Sequence, residues 1–221
     1  MIKIIITSIA LLLIQVTPSK SSFLDPIQLE AVNAVNVYLN NIEHMEGDFI
    51  QINPDTSISE GRFYIRRPGK FRFDYTDPDS LLVVSDSVWL GVIDRELDTL
   101  DRYPIRYSPH YVLFKDDVNL LKDARILGID FYEKFLVLSI EGLTDEEIGE
   151  ITLHFHVRDN ITESNTNLEL YEWYIIDAQG LETNVKLSNV VHGKIAENSY
   201  FPVSYTHLRA HETPEHRVCR L

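Results

Sequence analysis

Aromatic side chains recur at alternate positions on both sides of Pro68 and Gly69: Phe63, Phe71, Phe73 and Tyr75, with Ile65 completing the set. Side chains alternate faces along a strand, so this spacing fits two short antiparallel strands and no helix. Parity then selects the loop. A two-residue loop would set Ile65 against Arg72 and Phe63 against Asp74, mixing apolar with charged. A three-residue loop, Pro68 to Lys70, pairs Ile65 with Phe73, Phe63 with Tyr75 and Arg67 with Phe71. Arg66/Arg72 and Tyr64/Asp74 then share the opposite face. A Pro-Gly type II turn suits a two-residue hairpin poorly, which favours the odd loop. The consequence is a single charge, Arg67, on an apolar face.

The rest of the chain reads as more sheet and two helical patches. Asp25, Pro26 and Gln28 form a helix start, with an Asp cap, Pro in the first turn and Gln placed for a capping box. Ile27, Ala31, Ala34, Val35, Tyr38 and Ile42 follow at helical spacing, with Asn33, Asn36 and Asn40 among the polar positions. Extended segments are expected at Gly47 to Ile52, Ile58 to Tyr75, Leu81 to Ser85, Val88 to Ile93 and Leu97 to Tyr103. Ser108 and Pro109 open a second helical patch that Lys115, Asp116 and Asp117 interrupt, predicting two short helices or one broken helix. Strands resume at Arg125 to Asp130, Phe135 to Ile140, Glu150 to Val157, Leu168 to Ile176 and Leu181 to Val191. About ten strands joined by short turns predict a curled antiparallel sheet, with the helical insert able to lie across it.

The chain has 221 residues, enough for one domain with a sizeable core. Its formal net charge of -14 leaves no basic surplus for phosphate backbones, which argues against nucleic acid as a partner. Lys3 followed by an apolar run from Ile4 to Val16 reads as an export signal, expected over 1–21, and the run is too short to span a bilayer. No cysteine follows the run to take a lipid, and Cys219 is the single cysteine, so no intrachain disulfide is possible. One domain is expected over 22–201. The remaining 202–221 lacks alternation and holds His207, His211, His216 and Cys219. These are zinc-ligand types at spacings that match no ordinary zinc motif, and a non-native terminus is the favoured reading.

Catalytic constellations are scarce. Ser85 lacks the glycine-flanked elbow of a nucleophilic serine, and no Gly-rich phosphate loop occurs. His154 and His156 share a strand face, without a third ligand in view. An acid pair among the 34 carboxylates remains open as a hydrolase reading, with solvated surface the commoner explanation. No cofactor or metal is expected. A curled sheet with inward aromatics and a helical cover suits long apolar ligands.

Gly47 to Gln51, Gly61 to Phe73 around Arg67-Pro68, Pro78, Leu82 to Asp86, Val88, Trp89 and Asp94 together resemble the periplasmic outer-membrane lipoprotein carrier family, LolA. The similarity extends in spacing from Asp25 to about Phe201. It implies a mainly β fold: an incomplete, half-open antiparallel barrel covered by short helices. It implies a soluble, unlipidated periplasmic protein that is no enzyme. Such a carrier takes the acyl chains of lipoproteins from an inner-membrane ABC transporter to an outer-membrane receptor lipoprotein, and a monomer is expected. Carriage of free lipids or glycolipids is the alternative.

On this reading Phe63, Ile65, Phe71, Phe73, Tyr75 and Trp89 line the cavity, and Val112 and Phe114 belong to the lid. The arginine before the family's proline matches Arg67, which the resemblance implies holds the lid by hydrogen bonds to lid carbonyls. Taken from the residues alone, Arg67 fits equally a rim position with its head in water. Ser87 stands where the family usually has glycine, which implies a turn that is harder to build.

Overall fold

The computed structural model describes residues 24–76, 78–108, 111–143, 149–158, 167–177, 179–193 and 200–203. The expected signal segment, 1–21, and residues 204–221 of the tail lie outside them, as does Pro109 of the predicted helix start.

Helix α1, Pro26–Asn41, starts as the sequence dictates: the Asp25 carboxylate accepts from the Gln28 amide, and the Gln28 side chain accepts in return from the Asp25 amide. These two bonds satisfy donors that every helix start leaves open. Eleven strands follow: β1 (His44–Ile52), β2 (Ile58–Arg66), β3 (Lys70–Tyr75), β4 (Leu81–Asp86), β5 (Trp89–Asp94), β6 (Thr99–Pro104), β7 (Ala124–Tyr132), β8 (Phe135–Gly142), β9 (Glu150–Val157), β10 (Leu168–Ile176) and β11 (Glu182–His192). Between β6 and β7 the chain makes a 3-10 turn, Ile105–Tyr107, and two single-turn helices, α2 (Tyr111–Phe114) and α3 (Leu120–Asp123). The charged interruption therefore breaks the patch into two helices. All strands join one antiparallel sheet in the order β6-β5-β4-β3-β2-β1-β11-β10-β9-β8-β7, so β6 and β7 are its edges.

The hairpin corrects the expected register. Phe63 pairs with Phe73, Ile65 with Phe71 and Arg66 with Lys70, so the loop is Arg67 to Gly69 rather than Pro68 to Lys70. The shift is even, which leaves every side chain on the predicted face. The Arg67–Pro68 peptide is cis. Gly69 has a φ of 68° and lies so close to Ser87 that a Cβ would sit 2.8 Å from the Ser87 Cα. Ser87 itself adopts a φ of 88°, where glycine would be at ease, and its hydroxyl donates to the Pro68 carbonyl at 2.9 Å.

The sheet is curled rather than flat. Phe73 on β3 and Trp173 on β10 lie four strand spacings apart in the sheet order, yet their ring centroids are 6.2 Å apart. A flat sheet would separate those strands by roughly 19 Å. Paired glycines assist: Gly47 opposes Phe63 and Gly61 opposes Phe49 across β1 and β2. A Cβ on Gly47 would meet the Phe63 ring at 2.9 Å, and one on Gly61 the Phe49 ring at the same distance.

The inner face carries α1, the lid helices and the main core, in which Phe49, Phe63, Phe71, Phe155 and Trp173 are fully buried. Tyr38 of α1 stands edge-on to Phe155 at 5.5 Å, and its hydroxyl accepts from the Leu170 amide at 3.0 Å. A second cluster lies on the outer face, where Leu82, Val84, Ile93 and Leu100 are covered by Phe201 and Val203. Val203, assigned to the tail by sequence, is thus part of the packed domain.

Candidate functional site

The inner face forms a half-open cavity of about 330 Å³. Phe71, Phe73 and Tyr75 on β3, Leu90 and Val92 on β5, and Trp173 on β10 supply most of its apolar wall. Their convergence from both halves of the sheet is a result of the curl. The polar groups are few. The Tyr75 hydroxyl donates to Gln51 at 2.7 Å, and burial pushes its pKa up to about 12, with Asp79 adding to the effect. Asp177, the carboxylate among the lining residues, accepts from the amides of Gln179 and Leu181, both at 2.9 Å, and so serves its own turn. A second cavity of about 220 Å³ is lined by Tyr111, Val112 and Lys115 of the lid region and by Ile140 and Ile151 of the sheet. Ser108 borders both, so the two flank the start of the lid.

The structure distributes the candidate ligand residues unevenly. Phe71, Phe73 and Tyr75 line the larger cavity. Phe63 and Ile65 face the same side but are packed fully into the main core and line neither cavity. Trp89 requires a correction. It lies on the outer face, packed against the second cluster with the Arg102 guanidinium 4.3 Å over its ring, while its neighbours Leu90 and Val92 point inward. Here both faces of β5 are covered, so the alternation that fixes orientation is lost.

Of the lid residues, Phe114 is buried with its ring 4.9 Å from Phe71, and Val112 is half-buried beside the smaller cavity. Leu113, Val118 and Leu120 are buried as well.

Arg67 leaves the hairpin turn and meets the lid. Its Nη2 donates to the carbonyl of Lys115, just past α2, and to Asn40 Oδ1 of α1 at 3.3 Å. Its backbone amide donates to the Glu43 carbonyl at 3.0 Å. Nε and Nη1 are buried without a partner among the described residues. Burial pulls the guanidinium pKa below its ordinary value, and Asp116 opposes that pull. The adjacent Gly69 amide donates to the Phe114 carbonyl at 2.6 Å.

Two further residues hold the lid that the sequence did not single out. Asn40 Oδ1 accepts from the Val118 amide at 2.9 Å, and its Nδ2 donates to the Val118 carbonyl at 2.8 Å. Asn36 Oδ1 accepts from the Leu120 amide at 2.9 Å. Their i, i+4 spacing on α1 was the available signal, since it places both on one helix face.

The candidate histidines stand elsewhere. On the outer face His154 Nδ1 is 3.7 Å from the Glu172 carboxylate, and the His156 ring lies tilted over Tyr171 at 4.1 Å. Among the described residues, no three of His, Cys, Asp and Glu form a metal-binding group. No described helix is long and apolar enough to cross a membrane.

A curled antiparallel sheet, an aromatic cavity on its inner face and short helices over that face define a half-barrel fold. The chain belongs to the LolA family: the family model described as outer membrane lipoprotein carrier protein LolA matches residues 40–204. Similar proteins include the outer-membrane lipoprotein carrier protein of Methylococcus capsulatus, 39% identical over 72 residues, which are 29% of this chain and 35% of the relative. That of Neisseria meningitidis serogroup C is 35% identical over 116 residues, 47% of this chain and 56% of the relative. That of Psychromonas ingrahamii is 27% identical over 150 residues, 66% and 67%. The chain thus spans 35% to 56% of the length of the first two of these relatives. Among solved structures, a LolA superfamily protein of Nitrosomonas europaea has a TM-score of 0.42 at 10% identity, covering 77% of this chain and 97% of its own.

Proposed function

We propose that this protein is a non-enzymatic carrier that shields the acyl chains of lipoproteins within the periplasm. It receives them from an inner-membrane ABC transporter and delivers them to an outer-membrane receptor. The observation that carries this reading is the aromatic cavity of about 330 Å³ beside a lid held through its backbone. Membership of the LolA family and the similarity to outer-membrane lipoprotein carrier proteins support it.

The energetics agree. Each buried methylene is worth about 0.8 kcal/mol, so one C16 chain offers on the order of 10 kcal/mol before costs. Pockets for small ligands span roughly 300–1,000 Å³, and this cavity lies near the lower end. An anchor of several chains therefore fits only with the lid displaced, which would join the two cavities that flank it. In the empty protein Phe114 of the lid packs on Phe71 at the edge of that apolar surface. Arg67 acts as a latch: cargo must break its bond to the Lys115 carbonyl, so the closed state limits how tightly cargo is retained.

Native mass spectrometry of the protein purified from the cell envelope tests the reading. A bound mass matching an acylated lipoprotein or lipopeptide is expected. A free lipid or glycolipid mass would replace the cargo assignment, and failure to bind any synthetic acylated lipopeptide would overturn the carrier.

A further inference from the structure

The lid has little structure of its own. Helices α2 and α3 are four residues each, too short to satisfy their own end groups. The Asn119 N-cap of α3 makes no side-chain cap bond. The missing partners come from other parts of the chain. Asn36 Oδ1 takes the amide of Leu120, the first residue of α3, across 84 residues of sequence. Asn40 meets both polar groups of Val118, as a neighbouring strand would, and its Oδ1 also accepts from Arg67.

We propose that Asn36 and Asn40 on α1 form the principal clamp of the lid, with Asn40 the hub that ties Arg67 to it. Three bonds run from the two asparagines to the lid backbone, against one from the Arg67 side chain. An amide side chain offers an acceptor with two lone pairs and two donors, which is what Asn40 uses to serve Val118 and Arg67 together. Each of the three bonds to the lid is to backbone, so the clamp recognises the path of the lid and not its side chains. Asn40 is itself exposed, so water competes for its bonds and the clamp is reversible. Each bond shifts the opening equilibrium by roughly 2- to 10-fold, which suits a lid that must yield to ligand. The clamp concerns the empty protein; its consequence for ligand rests on the carrier reading above.

Amide hydrogen exchange on the ligand-free protein tests the clamp, because Val118 and Leu120 donate directly to the two asparagines. Asn40→Leu, of similar size without polar atoms, is expected to speed Val118 exchange by roughly 10-fold or more. Asn40→Asp keeps the acceptor and is expected to retain most of the protection. Asn36→Leu acts chiefly at Leu120, and Arg67→Leu raises Val118 exchange less than Asn40→Leu does. Amides of β9 such as Leu153 stay unchanged and report an intact fold. Unchanged Val118 exchange in Asn40→Leu, or an equal rise in Arg67→Leu, would overturn the clamp. Binding of a dipalmitoylated lipopeptide is the separate arm: Asn40→Leu should tighten it several-fold. Faster exchange with no lipopeptide binding in any variant would leave the clamp standing and remove the carrier reading.

Discussion

Tyr38 shows how a single buried polar atom joins α1 to the sheet. Its hydroxyl accepts the Leu170 amide, and burial pushes its pKa up to about 12, so it stays protonated at any ordinary pH. Tyr38→Phe keeps the ring against Phe155 but leaves that buried amide unpaired. A loss of about 1–3 kcal/mol is expected in denaturant unfolding; a loss under about 0.5 kcal/mol would deny the bond its role. His154 makes the complementary case on the outer face. Burial lowers its pKa and outweighs the pull of Glu172, while Tyr171 and Tyr174 flank the ring. The folded state then binds fewer protons than the unfolded chain, whose histidine titrates near about 6.5. The stability this provides is present above that pH and lost as the pH falls through the lower folded value. His154→Gln should therefore flatten the stability profile below about pH 6.5, and an unchanged slope in thermal unfolding would contradict the assignment.

The elements differ in how far the sequence disclosed them. Helix α1 was legible to its cap because Asp25 and Gln28 are three residues apart and satisfy each other locally. The hairpin was legible in its faces but not in its loop. Parity fixes faces, whereas the register depends on the docking of Gly69 against Ser87 and Phe114. Trp89 was misplaced because Phe201 and Val203, distant in sequence, bury the outer side of β5. Asn36 and Asn40 went unread as lid contacts, since their i, i+4 spacing marks a shared helix face but not the backbone about 80 residues away that they bind. Arg67 could be placed near the lid only through the family resemblance. Its substitution tests the lid as a movable element. Arg67→Leu removes a charge-assisted bond to the Lys115 carbonyl and destabilises the closed state. Acylated cargo is expected to be retained roughly 5- to 30-fold more tightly, about 1–2 kcal/mol, and passed on more slowly. Equal retention and equal transfer would remove Arg67 from the latch.

At the scale of the molecule, an eleven-stranded sheet is curled until strands far apart in its order share one wall of aromatic rings. The opening sequence motif supplies the floor of that wall at Phe71, Phe73 and Tyr75, while Trp173, which no short motif announced, closes it from the far half. The two tryptophans of the chain then fall on opposite faces of one sheet: Trp173 inside, Trp89 outside. This arrangement offers a direct test of where acyl chains bind. A lipopeptide carrying dibrominated stearoyl chains, whose bromines quench tryptophan on close approach, is titrated into Trp89→Phe and Trp173→Phe proteins. Trp173 is expected to be quenched as the lipopeptide binds, and Trp89 to keep its emission. Quenching of Trp89 with Trp173 unaffected would place the ligand on the outer face and contradict an inner-face site.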